Sequence, residues 1–335
     1  KGINIGDKDA IKYYSLSGSS NSTDLEKNTT SYSKLLGKTL TKMADDYSFE
    51  CITAAMGIGT GLEEYYKKYQ NRYIDVGIAE EHAVTYGAGL AADGKMPVIA
   101  IYSTFMQRAY DCILHDFALQ KLPGLFCMDR SGLVGNDGPT HHGVFDINFL
   151  SSIPGLILSA PKDGNEFMDL IYTAIKNKHL MSIRYPKSVT VFNEKHNFND
   201  IKIGTWEYVR KSSSKICILT FGRMIEHASL SAKVIKSELN VDVTIINCRF
   251  IKPLDEKMLK LLSEQHDIFI TIEEGMVRGG FGSSILEFFS KNNISKTLKL
   301  IGIKDHFSNH GNNSNLFKEE GLDVDSITNI IKEYM

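Results

Sequence analysis

The sequence predicts an α/β protein with two successive domains, each built on a parallel sheet. Short apolar segments rich in Val and Ile alternate with longer segments in which apolar residues recur at helical spacing, a pattern typical of sheets covered by helices. The alternation loosens into a polar stretch between residues 187 and 215 and then resumes. The 335 residues, of which 42% are hydrophobic, suffice for two cores.

Residues 1–30 are rich in Ser and Asn and lack a sustained apolar period, so we expect a linker or tail there. In the first domain, residues 31–190, apolar spacing of three and four predicts helices and short apolar runs predict strands. Their order is helix 31–44, strand 50–55, helix 62–69, strand 72–76, a helix from 79, strand 96–102, helix 106–120, strand 124–129, strand 156–160, helix 165–177 and strand 181–186.

The second domain, residues 191–335, repeats this style without an obvious sequence repeat. The same criteria predict a possible strand 205–209, strand 216–222, helix 225–239, strand 241–250, helix 255–264, strand 267–274, helix 284–292 after a GGFGSS turn, strand 298–303 and a terminal helix.

Composition excludes several classes of protein. The net charge of −2 provides no basic surface for nucleic acid, and we expect no membrane partner because the apolar runs fall short of the ~20 residues that span a bilayer. The five cysteines form no CxxC pair and predict reduced core thiols. The chain opens at Lys1 without a methionine, so we expect a fragment or processed product of a longer polypeptide.

Glycine motifs offer one alternative function. GIGTG from Gly57 to Gly61 follows a predicted strand, and Asp75 ends the next one, which resembles a dinucleotide fingerprint. The third glycine of that fingerprint is replaced by Leu62. Phosphate loops, nucleophile elbows and His/Cys sets with metal spacing do not occur in the sequence.

A carboxylate pair marks the most informative segment, DVGIAEEHAV. Glu80 and Glu81 lie where a short strand should turn into a helix, and in open α/β sheets such turns bind ligands. Glu81 is interpreted as a charge that complements the helix dipole. Glu80, flanked by apolar Ile78 and Ala79, is predicted to be buried, and burial raises the pKa of a carboxyl group.

Further candidates follow other predicted strands. YSTFMQR runs from Tyr102 to Arg108, and the long loop DRSGLVGNDGPTHHG carries Arg130, Asp137, His141 and His142. Long ordered loops are commonly functional, and we favour His141 over His142. Arginines at neighbouring strand ends, Arg108, Arg130 and Arg184, suggest an anion site.

These motifs, with RYP, RFIKPLD and the EEG to GGFGS stretch, closely resemble the 1-deoxy-D-xylulose-5-phosphate synthases, a transketolase-like family that uses thiamine diphosphate. The resemblance runs in order from about Ser31 to the C-terminus. It implies a pyrimidine-binding domain followed by a transketolase C-terminal domain. It also implies decarboxylative condensation of pyruvate with glyceraldehyde 3-phosphate, at the start of isoprenoid precursor and thiamine biosynthesis.

The resemblance also implies residue roles. Glu80 would hold a proton at a ring nitrogen of the aminopyrimidine, Phe105 would stack on that ring, and Ile78 would contact the cofactor. The residues facing substrates would be Tyr102, Arg108, Asp137 and His141, with His141 also catalytic. Arg130 and Arg184 would bind the phosphate, a task suited to planar guanidinium groups.

One departure from the family is large. Its members bind diphosphate through Mg²⁺ on a separate domain with a GDG motif, for which ADGK and NDGP are the nearest strings in this chain. We therefore expect no metal ligands here, an N-terminal diphosphate-binding domain upstream in the same polypeptide, and an inactive chain without it. The resemblance further implies a homodimer, in a plastid-type organelle or in bacterial cytoplasm.

Three alternatives remain open at this point. The first is the beta subunit of a two-subunit 2-oxo-acid dehydrogenase, which has a similar length and domain pair. The second is a nicotinamide-binding domain that uses GIGTG and Asp75. The third is a non-catalytic assembly half.

Overall fold

The computed structural model describes residues 29–335, so the predicted linker lies outside the described residues except for its last two positions. These two, Thr29 and Thr30, belong to a short strand, β1 (Thr29–Ser31), which pairs antiparallel with β8 (Val189–Val191). The predicted boundary after residue 190 therefore falls inside a strand that packs on the beginning of the first domain.

A seven-stranded sheet forms the first domain, in the order β12-β6-β7-β5-β4-β2-β3. All of its neighbouring pairs are parallel except β12–β6. Its strands are β2 (Glu50–Thr53), β3 (Tyr73–Asp75), β4 (Pro97–Tyr102), β5 (Gly124–Asp129), β6 (Ile157–Ser159), β7 (Leu180–Arg184) and β12 (Phe250–Lys252).

The helices of this domain are α1 (Tyr32–Met43), α2 (Glu63–Lys68), α3 (Glu80–Ala92), α4 (Ser103–Met106), α5 (Tyr110–Cys112), α6 (Asp146–Ser151) and α7 (Gly164–Lys176). Single 3₁₀ turns span Gln70–Arg72, Gln107–Ala109 and Gly135–Asp137, and a π-helical turn spans Ile113–Ala118. Side chains cap two of the long helices, since Ser31 accepts from the Lys34 amide and Asp163 from the Glu166 amide. These caps set where the helices begin.

The second domain contains a five-stranded sheet in the order β14-β13-β10-β11-β9. It is parallel apart from the antiparallel edge strand β9. Its elements are β9 (Glu207–Arg210), β10 (Ile216–Thr220), α8 (Met224–Leu239), β11 (Thr244–Asn247), α9 (Glu256–Gln265), β13 (Ile268–Met276), α10 (Phe281–Lys291), β14 (Thr297–Ile303), α11 (Asn313–Glu319) and α12 (Val324–Lys332). The predicted fold class, two mostly parallel α/β domains, is confirmed.

Several local predictions need correction. The single strand predicted over 241–250 is two strands, β11 in the second sheet and β12 in the first. The helix predicted over 106–120 is a chain of short α, 3₁₀ and π turns, and the terminal helix is two helices. Neither α6 nor the β1–β8 ribbon was predicted, because short segments have too few residues to show a period.

The crossing of β12 into the first sheet joins the two domains. Phe250 and Lys252 pair with β6, and the Trp206 indole donates to the Phe250 carbonyl at 2.8 Å. One continuous set of buried side chains accordingly includes residues from both halves of the chain. The cysteines fit the prediction of core thiols: all five are free, and four are buried.

Within residues 29–335, none of the helices combines the length and the apolar character that a membrane-spanning helix needs.

We predict that Phe250→Ala lowers the free energy of unfolding by about 3–5 kcal/mol, because the Phe250 side chain is fully buried at the seam between the domains. Val209→Ala, on the half-exposed edge strand β9, is the control and should cost no more than about 0.5 kcal/mol. Urea denaturation of both variants measures the difference. If both variants lost the same free energy of unfolding, the proposed role of β12 in holding the domains together would be contradicted.

Candidate active site

The predicted site residues follow strands that lie side by side in the first sheet. The strands β3, β2, β4, β5 and β7 are consecutive neighbours and parallel. Their carboxyl ends lie side by side: Tyr102 pairs with Asp129, and Arg184 pairs with Met128, one residue before the end of β5. The carboxyl edge of this sheet therefore gathers the candidates.

The turn after β3 is shaped by the Asp75 carboxylate. Its Oδ1 accepts hydrogen bonds from the amides of Ala55 at 2.8 Å and Gly77 at 3.0 Å. Gly77 has a φ of +75°, which favours glycine. Asp75 thus has a structural role in forming the turn that leads into α3.

The GIGTG glycines also have a packing explanation. A Cβ on Gly61 would lie 1.9 Å from the Ser33 carbonyl oxygen, and one on Gly37 would lie 1.9 Å from the Gly61 carbonyl oxygen. These glycines let α1 approach the 57–61 segment closely. With Asp75 occupied as well, the structure offers no support for a nicotinamide site.

Glu80 and Glu81 differ as predicted, since Glu80 is 2% exposed and Glu81 is exposed. In the described part of the chain, the only side-chain partner of Glu80 is Arg108, whose Nη1 lies 3.5 Å from Glu80 Oε1. The predicted burial of Glu80 is confirmed, but the neighbouring Ile78 does not contribute to it, because Ile78 is 85% exposed after the glycine turn. Glu80 is buried by the packing of α3 on β2 and β4.

A row of rings and guanidinium groups links the candidates after β4 and β5. The Tyr102 and Phe105 rings are stacked at 5.8 Å, and the His141 ring meets Phe105 edge-on at 5.3 Å. The Arg130 guanidinium lies 3.7 Å from the Tyr102 centroid, and that of Arg108 lies 5.4 Å from the Phe105 centroid. Cation–π contacts of this kind hold guanidinium groups beside aromatic faces. The structure thus brings these five residues together, with Glu80 beside Arg108.

Arg130 is held from several sides. Its Nη1 donates to the Gly59 carbonyl at 3.1 Å and lies 3.4 Å from Asp129, and its Nε lies 3.6 Å from Asp137 without a hydrogen-bond partner. Its backbone has a φ of +62°, which turns the chain sharply after β5. Lys187 also reaches Asp137, at 2.7 Å.

Sequence reasoning missed Asp129 and Lys187 as parts of this site. Asp129 is the last residue of β5, as the predicted strand 124–129 places it, but it is also fully buried there and accepts a hydrogen bond from Ser33 at 2.7 Å. Lys187 directly follows RYP, so its position after a strand end was the available signal. Asp129 pairs with Arg130, and Lys187 pairs with Asp137.

The two loop histidines have separate surroundings. His142 is 3% exposed, its Nδ1 accepts from the Val134 amide at 3.1 Å, and its Nε2 lies 2.9 Å from the Asn309 carbonyl. His141 is half-buried, with Nδ1 2.9 Å from the Thr140 hydroxyl. Both ring nitrogens of His142 are engaged by backbone, so His141 is the histidine with a ring nitrogen available for a ligand.

Arg184 stands apart from the other cations. It is 5% exposed, its Nε donates to both oxygens of the buried Asp146 at 3.1 and 3.0 Å, and its Nη2 donates to the Glu274 carbonyl. The expected pairing of Arg184 with Arg130 on one anion is therefore not what the structure shows. Arg184 is committed to a buried ion pair within the first domain and to a hydrogen bond with β13 of the second domain.

Burial also shifts titrations at this edge. It raises the pKa of Asp129 from 3.8 to about 6, against the opposing effects of Arg130 and Ser33. Burial likewise raises the pKa of the Tyr102 hydroxyl. Residues 29–335 contain no group of three or more His, Cys, Asp or Glu side chains that could hold a metal ion.

Arg184→Ala should lower the free energy of unfolding by about 3–5 kcal/mol, because it leaves the Asp146 carboxylate buried without its partner. The control is Arg210→Ala, which breaks the more exposed pair with Asp242 and should cost about 1 kcal/mol or less. Thermal and urea denaturation measure both. A stable Arg184→Ala chain would show that the pair is not structurally required.

The raised pKa of Asp129 predicts that the stability of the folded chain depends on pH. Because its pKa is raised to about 6 in the folded state, the folded chain binds the proton more tightly than the unfolded chain. Stability is therefore lost as pH rises from about 4 to about 6, by up to ~3 kcal/mol. Relative to Asp129→Asn, which cannot titrate, the parent chain should become progressively less stable over this range. Parallel pH curves for the two proteins would contradict the raised pKa.

Comparisons with protein families match both domains. The transketolase pyrimidine-binding domain matches residues 28–191, and the transketolase C-terminal domain matches residues 204–327. Among solved structures, a protein described as "Split gene transketolase, inactive beta4 tetramer" has a TM-score of 0.79 at 20% identity, covering 90% of this chain and 97% of that one. Transketolase from Campylobacter jejuni has a TM-score of 0.76 at 19% identity, covering 91% of this chain and 47% of that one. At these identities the likeness concerns the fold.

Sequence relatives are closer. The chain is similar to the 1-deoxy-D-xylulose-5-phosphate synthases of Aquifex aeolicus (44% identical), Gloeobacter violaceus (42%) and Clostridium perfringens (40%). The alignments cover 90%, 99% and 100% of this chain and 48%, 53% and 54% of those relatives. The chain thus spans about half the length of the curated relatives it matches. It belongs to the transketolase family, as a pyrimidine-binding domain followed by a transketolase C-terminal domain.

Proposed function

We propose that this chain is the pyrimidine-binding and C-terminal part of a 1-deoxy-D-xylulose-5-phosphate synthase, which condenses pyruvate with glyceraldehyde 3-phosphate and releases CO₂. The observation that carries the proposal is the Glu80 carboxyl group, which is 2% exposed at the first turn of α3 and lies beside Arg108, whose guanidinium in turn lies over the Phe105 ring. The relatives named above support the choice of reaction.

The residues fit thiamine diphosphate. A buried carboxyl group suits a ring nitrogen of the aminopyrimidine, and the half-buried Phe105 ring suits its flat face. When bound, the cofactor supplies a nucleophilic thiazolium carbon and accepts the electron pair left by decarboxylation. Glu80 holds a proton at the ring nitrogen, Phe105 orients the ring, and the exposed Ile78 offers an apolar contact.

The remaining side chains bind and orient the substrates. His141 uses its available ring nitrogen to donate to oxygen where negative charge develops. Arg130 and Lys187 provide the positive charge for the phosphate, and Arg108 and Tyr102 border the same space. Asp137, between Arg130 and Lys187, orients both cations. Arg184 supports this arrangement from the buried interior.

The proposal includes partners for the exposed edge of the site. Ile58 and Ile78 are 55% and 85% exposed near Gly59 and Glu80, so both side chains are accessible to another surface. We assign that surface to an N-terminal domain of the same polypeptide, which holds Mg²⁺ and the diphosphate, and to a second copy in a homodimer. Without that domain we expect no turnover.

For location we retain a plastid-type organelle, favoured by the Asn- and Lys-dense residues 1–30, with bacterial cytoplasm as the alternative.

Glu80→Gln in the full-length enzyme should lower kcat about 10²–10⁴-fold, because the amide cannot exchange a proton with the cofactor ring. Glu81→Gln is the matched control, one residue away on the exposed side of the same turn, and should change kcat less than about twofold. Product formation from pyruvate and glyceraldehyde 3-phosphate is the measurement.

Two outcomes would contradict the proposal. Full activity of Glu80→Gln would show that Glu80 does not activate the cofactor, as expected of a non-catalytic assembly half. Turnover of pyruvate only with a lipoyl acceptor would identify a 2-oxo-acid dehydrogenase instead.

A further inference from the structure

The loop that carries Asp137 and His141 is held by the other domain. We call residues 130–143 the glycine-rich loop and residues 304–312, between β14 and α11, the C-terminal loop. Two hydrogen bonds cross between them: His142 Nε2 donates to the Asn309 carbonyl at 2.9 Å, and His310 Nε2 donates to the Asn136 carbonyl at 3.1 Å. Each loop thus donates one bond and accepts one.

The hydrogen bonds of His142 show which of its ring nitrogens carries the proton. Its Nδ1 accepts from the Val134 amide at 3.1 Å, so its proton is on Nε2 and points to the Asn309 carbonyl. His142 is 3% exposed, whereas His310 is exposed. The exposed His310 bond is therefore the one that can be removed without opening the interior.

The base of the glycine-rich loop is tied to the same domain. Glu274 on β13 accepts from the Leu133 amide at 2.5 Å and pairs with Arg223, which also donates to the Leu133 carbonyl at 2.7 Å. At the other end, the Met276 amide donates to the Val144 carbonyl at 2.9 Å. A Cβ on Gly132 would lie 2.2 Å from the Glu274 carboxyl carbon, so the loop and β13 are in close contact.

Asp137 and His141 lie between these attachment points, in the part of the loop that the C-terminal loop reaches. The Gly135–Asp137 turn carries the carbonyl that His310 binds, and His310 Cδ2 lies 3.2 Å from where a Cβ on Gly138 would be. We propose that His310 is a positioning residue that acts through the Asn136 carbonyl to place Asp137 and His141 for the acceptor substrate. This inference rests on the proposed function for its kinetic consequence only.

The first test needs no activity. Hydrogen exchange of the loop amides is compared in this chain and in its His310→Ala variant. Loss of the bond should accelerate exchange about tenfold or more in residues 135–141, while the melting temperature stays within about 1 °C because the side chain is exposed. The control is His115→Ala, which removes another exposed histidine. The His115 ring pairs with Asp111, four residues earlier, and its loss should leave these amides unchanged.

The second test uses the full-length enzyme. His310→Ala should lower kcat/KM for glyceraldehyde 3-phosphate about tenfold, the factor expected for one lost hydrogen bond. His310→Gln, which retains an N–H donor, should recover most of the loss. A purely structural role would give equal losses for both variants together with a lower melting temperature.

The outcomes are separable. Unchanged exchange in residues 135–141 would overturn the attachment itself. Faster exchange with unchanged kcat/KM would overturn the positioning role. An inactive parent enzyme would refute the proposed function, and hydrogen exchange would then decide alone whether His310 orders the loop.

Discussion

The buried ion pair between Arg184 and Asp146 is the contact on which the arrangement of the site depends. Arg184 ends β7, Asp146 begins α6, and Ser103 at the start of α4 donates to the same carboxylate at 3.0 Å. The Arg184 guanidinium also donates to the Glu274 carbonyl on β13. A buried charge without its partner is costly, so these contacts are hard to break. They hold the end of β7 and the starts of α6 and α4 together and place them against β13 of the second domain.

Arg130 is at the centre of the candidate site. Its guanidinium lies over the Tyr102 ring and between the carboxylates of Asp129 and Asp137, and Lys187 adds a second cation beside Asp137. Burial raises the pKa of Asp129 to about 6, which weakens its negative charge near that pH.

The two domains make different contributions to the carboxyl edge of the first sheet. The first domain provides the candidate site residues, which follow the ends of β3, β4 and β5. The second domain holds the glycine-rich loop through Glu274, Arg223 and the C-terminal loop. A glycine-rich segment has high conformational entropy when free, so its order depends on these contacts from outside the sheet.

The sequence by itself determined the fold class, most strands and helices, and the distinction between Glu80 and Glu81, because these follow from local periodicity and from position at a helix start. Only the tertiary structure decided that His142 is engaged, that Arg184 is committed to Asp146, and that β12 crosses into the first sheet. His142 and Asn309 are 167 positions apart in the chain. Contacts at such separations depend on how whole elements pack, which no local pattern of residues records.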